Sequence, residues 1–83
     1  MTLRVTMGDS WEPVVLEASG DEPVASLKAR SLAAQKIPLS RANQYEVKFG
    51  GALVSDEALT LAEIGVGEGA ALVVLSRRRR PVR

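Results

Sequence analysis

The 83-residue sequence predicts an α+β domain: two strands, a helix, two strands, a short 3₁₀-like turn and a last strand. Three observations carry this expectation. Three runs alternate apolar and polar residues with period two, the pattern of half-buried strands. One stretch of helix formers is bracketed by Pro23 and by Ile37-Pro38. The nearly continuous apolar run from Ala70 to Ser76 fits a central strand shielded on one face and at least partly on the other.

At the start, Leu3, Val5 and Met7 alternate with Thr2, Arg4 and Thr6. Turn chemistry follows at Gly8-Asp9-Ser10. After Pro13 a second alternation sets Val14, Leu16 and Ala18 inward and Val15 and Glu17 outward. Two such strands read as a hairpin, although the Gly8–Pro13 connection is longer than a tight two-residue turn. Ser19-Gly20-Asp21-Glu22-Pro23 reads as a helix start, because proline suits the first helical position and acids suit the positive end of the helix dipole. The helix is expected from Val24 to about Gln35, with Val24, Leu27 and Ser31 on one stripe and Leu32 at its border. Ile37-Pro38 ends it, since a residue before proline is pushed out of the α region. Tyr45, Val47 and Phe49 then alternate with Glu46 and Lys48 as a third strand, Gly50-Gly51 is a turn, and Leu53-Val54 a very short fourth strand. Thr60 to Gly65 suits a single helical turn, and Gly67-Glu68-Gly69 another turn before the last strand.

Composition narrows the chemistry. The length suits one domain, and a core this small buries only about 60% of the surface its unfolded chain exposes. Cysteine and histidine are both absent, which removes disulfides, thiolates, the commonest general base and the commonest metal ligand. The acids are dispersed, Gly50-Gly51 lacks the context of a phosphate loop, and no cofactor is expected. No signal peptide and no spanning run is visible, so a cytoplasmic protein is the expectation. The net charge of +1 hides a division: residues 1–76 carry six basic and ten acidic groups, whereas Arg77, Arg78, Arg79, Arg80 and Arg83 give the last seven residues +5. The expected organisation is therefore a mildly acidic domain over 1–76 and a basic disordered tail over 77–83.

The element order, together with several local strings, resembles the ubiquitin-like family. The strings are Leu16-Glu17-Ala18, Leu27-Lys28-Ala29-Arg30, Ile37-Pro38, Phe49-Gly50-Gly51-Ala52-Leu53, Thr60-Leu61-Ala62-Glu63-Ile64 and Leu72-Val73-Val74-Leu75. They span residues 2–76 in the family's order and spacing. The resemblance implies a β-grasp fold: a mixed five-stranded sheet, first and last strands parallel neighbours at its centre, and one helix across a face. It also implies that Lys28 packs at the sheet as a structural lysine. Conjugating and sulfur-carrying members end in a diglycine, and this sequence holds no glycine after Gly69. A gapless count from Glu68 places Arg79-Arg80 at that position. The resemblance thus implies a non-conjugating member that binds other proteins non-covalently. Its composition (rich in Ala, Arg, Gly and Val) suits a bacterial source. It is then similar to small ubiquitin-like proteins of type VII secretion or to regulatory β-grasp subunits of multicomponent oxygenases.

Three sets of residues are candidates for binding. By alignment with the family's apolar sheet patch, Lys48 falls at its central position, Val74 at another, Leu72 two residues away, and Met7 or Trp11 near the hairpin position. A patch centred on a cation suits an acidic or amphipathic protein partner; alternatively, Leu72 and Val74 are scattered surface residues. Trp11, in or near the first hairpin loop, is either an interface anchor or a ring folded over a small core. The arginine run would neutralise phosphates of a nucleic acid or an anionic surface, or serve as a solvated tail or linker. It has no interleaved aromatic for base stacking.

Overall fold

In a computed structural model, residues 1–8 and 12–76 are described. Strands β1 (Thr2–Met7), β2 (Val14–Glu17), β3 (Tyr45–Phe49), β4 (Ala52–Leu53) and β5 (Ala71–Ser76) form one sheet in the order β2-β1-β5-β3-β4. Helix α1 (Val24–Ala34) crosses one face. β1 and β5 run parallel at the centre, and the other three neighbouring pairs are antiparallel. This is the mixed β-grasp sheet expected. Only the tertiary register places β5 between β1 and β3.

Alternation fixes which side is the core. Leu3 and Val5 on β1, Val47 on β3, and Leu72 and Val74 on β5 are at most 1% exposed, packed beneath Val24, Leu27 and Leu32 of the helix. Leu61 and Val66, from the long β4–β5 connection, close the core's end. Ser31, in the helix stripe, is fully buried, but its hydroxyl donates to the Leu27 carbonyl at 2.8 Å, so no polar group is stranded.

The helix begins without a side-chain cap. Its first amides are satisfied from the neighbouring loop, Val24 N–H donating to the Leu59 carbonyl and Ala25 N–H to the Glu57 carbonyl, both at 2.9 Å. Pro23 is the N-cap, one residue before the position expected for it. Asp21 and Glu22 therefore precede the helix. The far end closes as a Schellman motif: Ile37 N–H reaches the Leu32 carbonyl (2.9 Å) and Lys36 N–H the Ala33 carbonyl (3.0 Å). Lys36 takes the left-handed position there with φ 62°, where glycine is usual.

Three local expectations are revised. Leu39–Gln44, unassigned in the sequence, forms a 3₁₀ segment that leads into β3. The fourth strand is Ala52–Leu53, one residue earlier than Leu53-Val54. Gly50 and Gly51, at φ 64° and 83°, make a two-residue turn that pairs Phe49 with Ala52. Thr60 to Gly65 closes as turns, with Ile64 N–H donating to the Thr60 carbonyl at 3.2 Å. Thr60 and Glu63 bond reciprocally there, side chain to backbone amide, as a capping box does.

Candidate functional site

The sheet has one face under α1 and one face open. Register identifies the open face residue by residue. Arg4 lies between Val15 on β2 and Ala71 on β5. Thr6 and Lys48 flank Val73, Leu53 lies beyond Lys48, and Glu46 flanks Leu75. Val73 is 38% exposed although it sits on the central strand. Val15 and Leu53 are more exposed still, and Ala71 is exposed. The result is an apolar line along β5 with Arg4 on one side and Lys48 on the other.

Three expected contact residues are not on this face. Leu72 and Val74 are 0% and 1% exposed and Met7 5%, all in the core. The pairings Val5↔Leu72 and Met7↔Val74 align them with inward-facing positions of β1. A strand's side chains alternate, so an alignment one residue out of register moves every side chain to the opposite face. Val73 takes the position assigned to its neighbours. The uniformly apolar run carries no such signal in the sequence: the phase of β5 comes from its pairing with β1 and with β3, where Val74 lies opposite the buried Val47. Lys48 lies half-buried on the open face, across from Val73. Trp11 and Arg77, Arg78, Arg79, Arg80 and Arg83 lie outside the described residues.

The electrostatics of the open face differ from those of the helix side. Among the described residues, Arg4 and Lys48 enter no ion pair. Of the cations on the helix side, Lys28 and Arg30 are committed, whereas Lys36 and Arg41 enter no ion pair among the described residues. Lys28, 7% exposed in its side chain, meets Glu57 at 2.7 Å and donates to the Tyr45 carbonyl at 3.0 Å. That is the structural role the resemblance implied for it. Arg30 holds Glu22 at 2.8 Å and also donates to the Glu17 carbonyl of β2 at 2.7 Å, tying the helix to the sheet edge. Burial alone would raise the Glu22 carboxyl. The Arg30 hydrogen bond, then that from the Ser26 hydroxyl, outweighs it and holds Glu22 below its ordinary value. Asp21 is held low chiefly by a hydrogen bond from the Ser19 hydroxyl.

Two shallow grooves lie at the rims. One of about 380 Å³ opens beside Ile37, Tyr45 and Leu75 at the end of β5; the other, about 250 Å³, lies between β4 and the loop that follows it. Among the described residues, no group of three or more acids converges to hold a metal ion, and no helix is long and apolar enough to cross a membrane.

Solved structures share this architecture. The ubiquitin of Caldiarchaeum subterraneum is 20% identical, with a TM-score of 0.79 over 95% of each chain. The ubiquitin-like domain of an Arabidopsis thaliana protein, solved in solution by NMR, is 19% identical. It covers all of this chain and 83% of its own, with a TM-score of 0.78. No protein-family model and no curated protein matches the sequence. The fold is thus ubiquitin-like β-grasp.

Proposed function

We propose that this domain is a non-covalent protein-binding module with no chemistry of its own, and that its contact surface is the open sheet face centred on Val73. The supporting observation is the combination on that face: an exposed apolar line on the central strand, flanked by two cations without ion-pair partners among the described residues. Apolar surface supplies affinity on burial, and complementary charge sets partner choice and encounter rate. The matching partner is an amphipathic segment whose apolar side chains cover Ala71, Val73 and Leu75 and whose acids meet Arg4 and Lys48.

The test is capture of partners from source-cell lysate by the full chain and by two variants, Val73→Glu and the double variant Arg4→Glu with Lys48→Glu. A protein held by the parent and released by both variants supports the reading, provided the variants keep the parent's circular dichroism spectrum. Equal capture by all three forms refutes it. Protein-linked forms of the chain that survive boiling in denaturant would refute its non-covalent part.

A further inference from the structure

Among the described residues, the groove between β4 and the following loop carries one charged residue in its lining, the acid Asp56. Its walls are Phe49, Leu53, Val54, Leu59 and Ile64, with Asp56 at the mouth. Phe49, Val54 and Ile64 rest on the core, whereas Leu53 and Leu59 are 49% and 37% exposed, two of the five large apolar residues that the described surface displays. Neither leucine is needed to close the core, which Leu61 and Val66 already seal from the same connection.

The groove is held open by hydrogen bonds. Leu59 and Glu57 carbonyls cap the first amides of α1, Val54 N–H donates to the Val47 carbonyl at 2.8 Å, and Asp56 Oδ1 accepts from Ala58 N–H at 3.0 Å. A partner would therefore meet a preformed wall and spend little ordering it.

Charge identifies that partner. From residue 49 to residue 76 the chain has four acids, Asp56, Glu57, Glu63 and Glu68, and not one lysine or arginine. Glu57 is paired with Lys28, Glu63 bonds the Thr60 amide, and Glu68 bonds the Thr2 amide of β1. The nearest cation along the chain, Lys48, is paired across from Leu53 at the border with the open sheet face and does not line the groove. An apolar slot with the Asp56 carboxylate in its lining selects an aliphatic side chain flanked by a cation.

We infer that this groove docks a basic peptide segment carrying an aliphatic anchor, with the anchor between Leu53 and Leu59 and a neighbouring cation at Asp56. The site is distinct from the sheet-face reading, because it takes a partner of opposite charge and shares with that face only Leu53, at their common border. Either can fail alone.

The experiment titrates the ¹⁵N-labelled full chain with the synthetic peptide Arg-Arg-Leu-Leu-Arg-Arg, using Glu-Glu-Leu-Leu-Glu-Glu as the control. Amide shifts are expected to concentrate at residues 52–59 and 64, with affinity for the basic peptide at least about tenfold above that for the acidic one. Leu59→Ala is expected to weaken binding about tenfold, as loss of a central anchor does. Leu59→Met should restore most of it. Asp56→Asn, which keeps the acceptor for Ala58 but loses the charge, is expected to weaken binding roughly threefold. The inference is overturned by equal binding of both peptides, by shifts that map to the open sheet face, or by Leu59→Ala and Asp56→Asn titrating like the parent. Shifts at the same amides that grow with protein concentration before peptide is added would assign the groove to the arginines of a second copy, and would also overturn it.

Discussion

Replacing Lys28 by methionine is expected to be strongly destabilising although it leaves the helix's apolar stripe intact. The methionine keeps most of the aliphatic stem in place beneath the helix, so the loss is electrostatic. Glu57, whose side chain is 19% exposed, loses its partner at 2.7 Å, and the Tyr45 carbonyl loses a donor at 3.0 Å. Breaking a buried ion pair by removing one partner costs about 3–5 kcal/mol. Glu57 keeps some access to water, which places the loss at the lower end, about 3 kcal/mol. A chain of this length has a total stability of about 4–12 kcal/mol, so the loss is a large fraction of it. It corresponds to a fall in melting temperature of about 12–24 °C. The second arm removes both charges, Lys28→Met with Glu57→Met. Most of the loss should return, because two apolar side chains leave no uncompensated charge. A residual deficit of about 1 kcal/mol is expected from the Tyr45 carbonyl. The assay is urea unfolding followed by circular dichroism, for the parent, both single variants and the double variant, analysed as a cycle. A loss below about 1 kcal/mol for Lys28→Met, or a double variant worse than either single one, would refute the reasoning, given what breaking a buried pair ordinarily costs.

Further outcomes test other links. On β5, Val74→Ala is expected to cost about 1–3 kcal/mol, while Val73→Ala costs under about 0.5 kcal/mol; comparable losses in denaturant melts would contradict the strand's phasing. Gly8→Ala would place a Cβ 2.9 Å from Leu75 Cβ, and about 1–3 kcal/mol of overpacking should appear as a lower urea midpoint. Lys36→Gly should stabilise the fold by roughly 0.5–1 kcal/mol, because glycine relieves the left-handed backbone at φ 62° but costs more entropy on folding. Glu22 is held below its ordinary value of 4.5 when folded, so its contribution is full above that value and is lost as the pH falls through the lower folded value. Glu22→Gln should therefore flatten the acid limb of a stability–pH curve; an unchanged limb would contradict the Arg30 pairing.

Much of the architecture was legible along the chain. Leu3, Val5 and Met7, then Leu16 and Ala18, then Tyr45, Val47 and Phe49 face inward as their alternation required. The helix stripe of Val24, Leu27, Ser31 and Leu32 is the buried one. These succeed because each element's period is a local property of backbone geometry. The 3₁₀ segment at Leu39–Gln44 escaped notice because it buries no side chain and so leaves no periodic mark.

The binding face was the part that local pattern left open. Ala71-Leu72-Val73-Val74-Leu75 is apolar at every position, so nothing within it distinguishes inside from outside. The phase of β5 is imposed from both sides, by parallel pairing with β1 and antiparallel pairing with β3. Those pairings bury Leu72 and Val74 and turn Val73 to solvent between Arg4 and Lys48. By itself the sequence determined the elements, their inward stripes where polar residues alternate, and the absence of cysteine and histidine chemistry. The tertiary structure decided which apolar residues are core and which are surface, because a uniformly apolar strand acquires its two faces only from its neighbours.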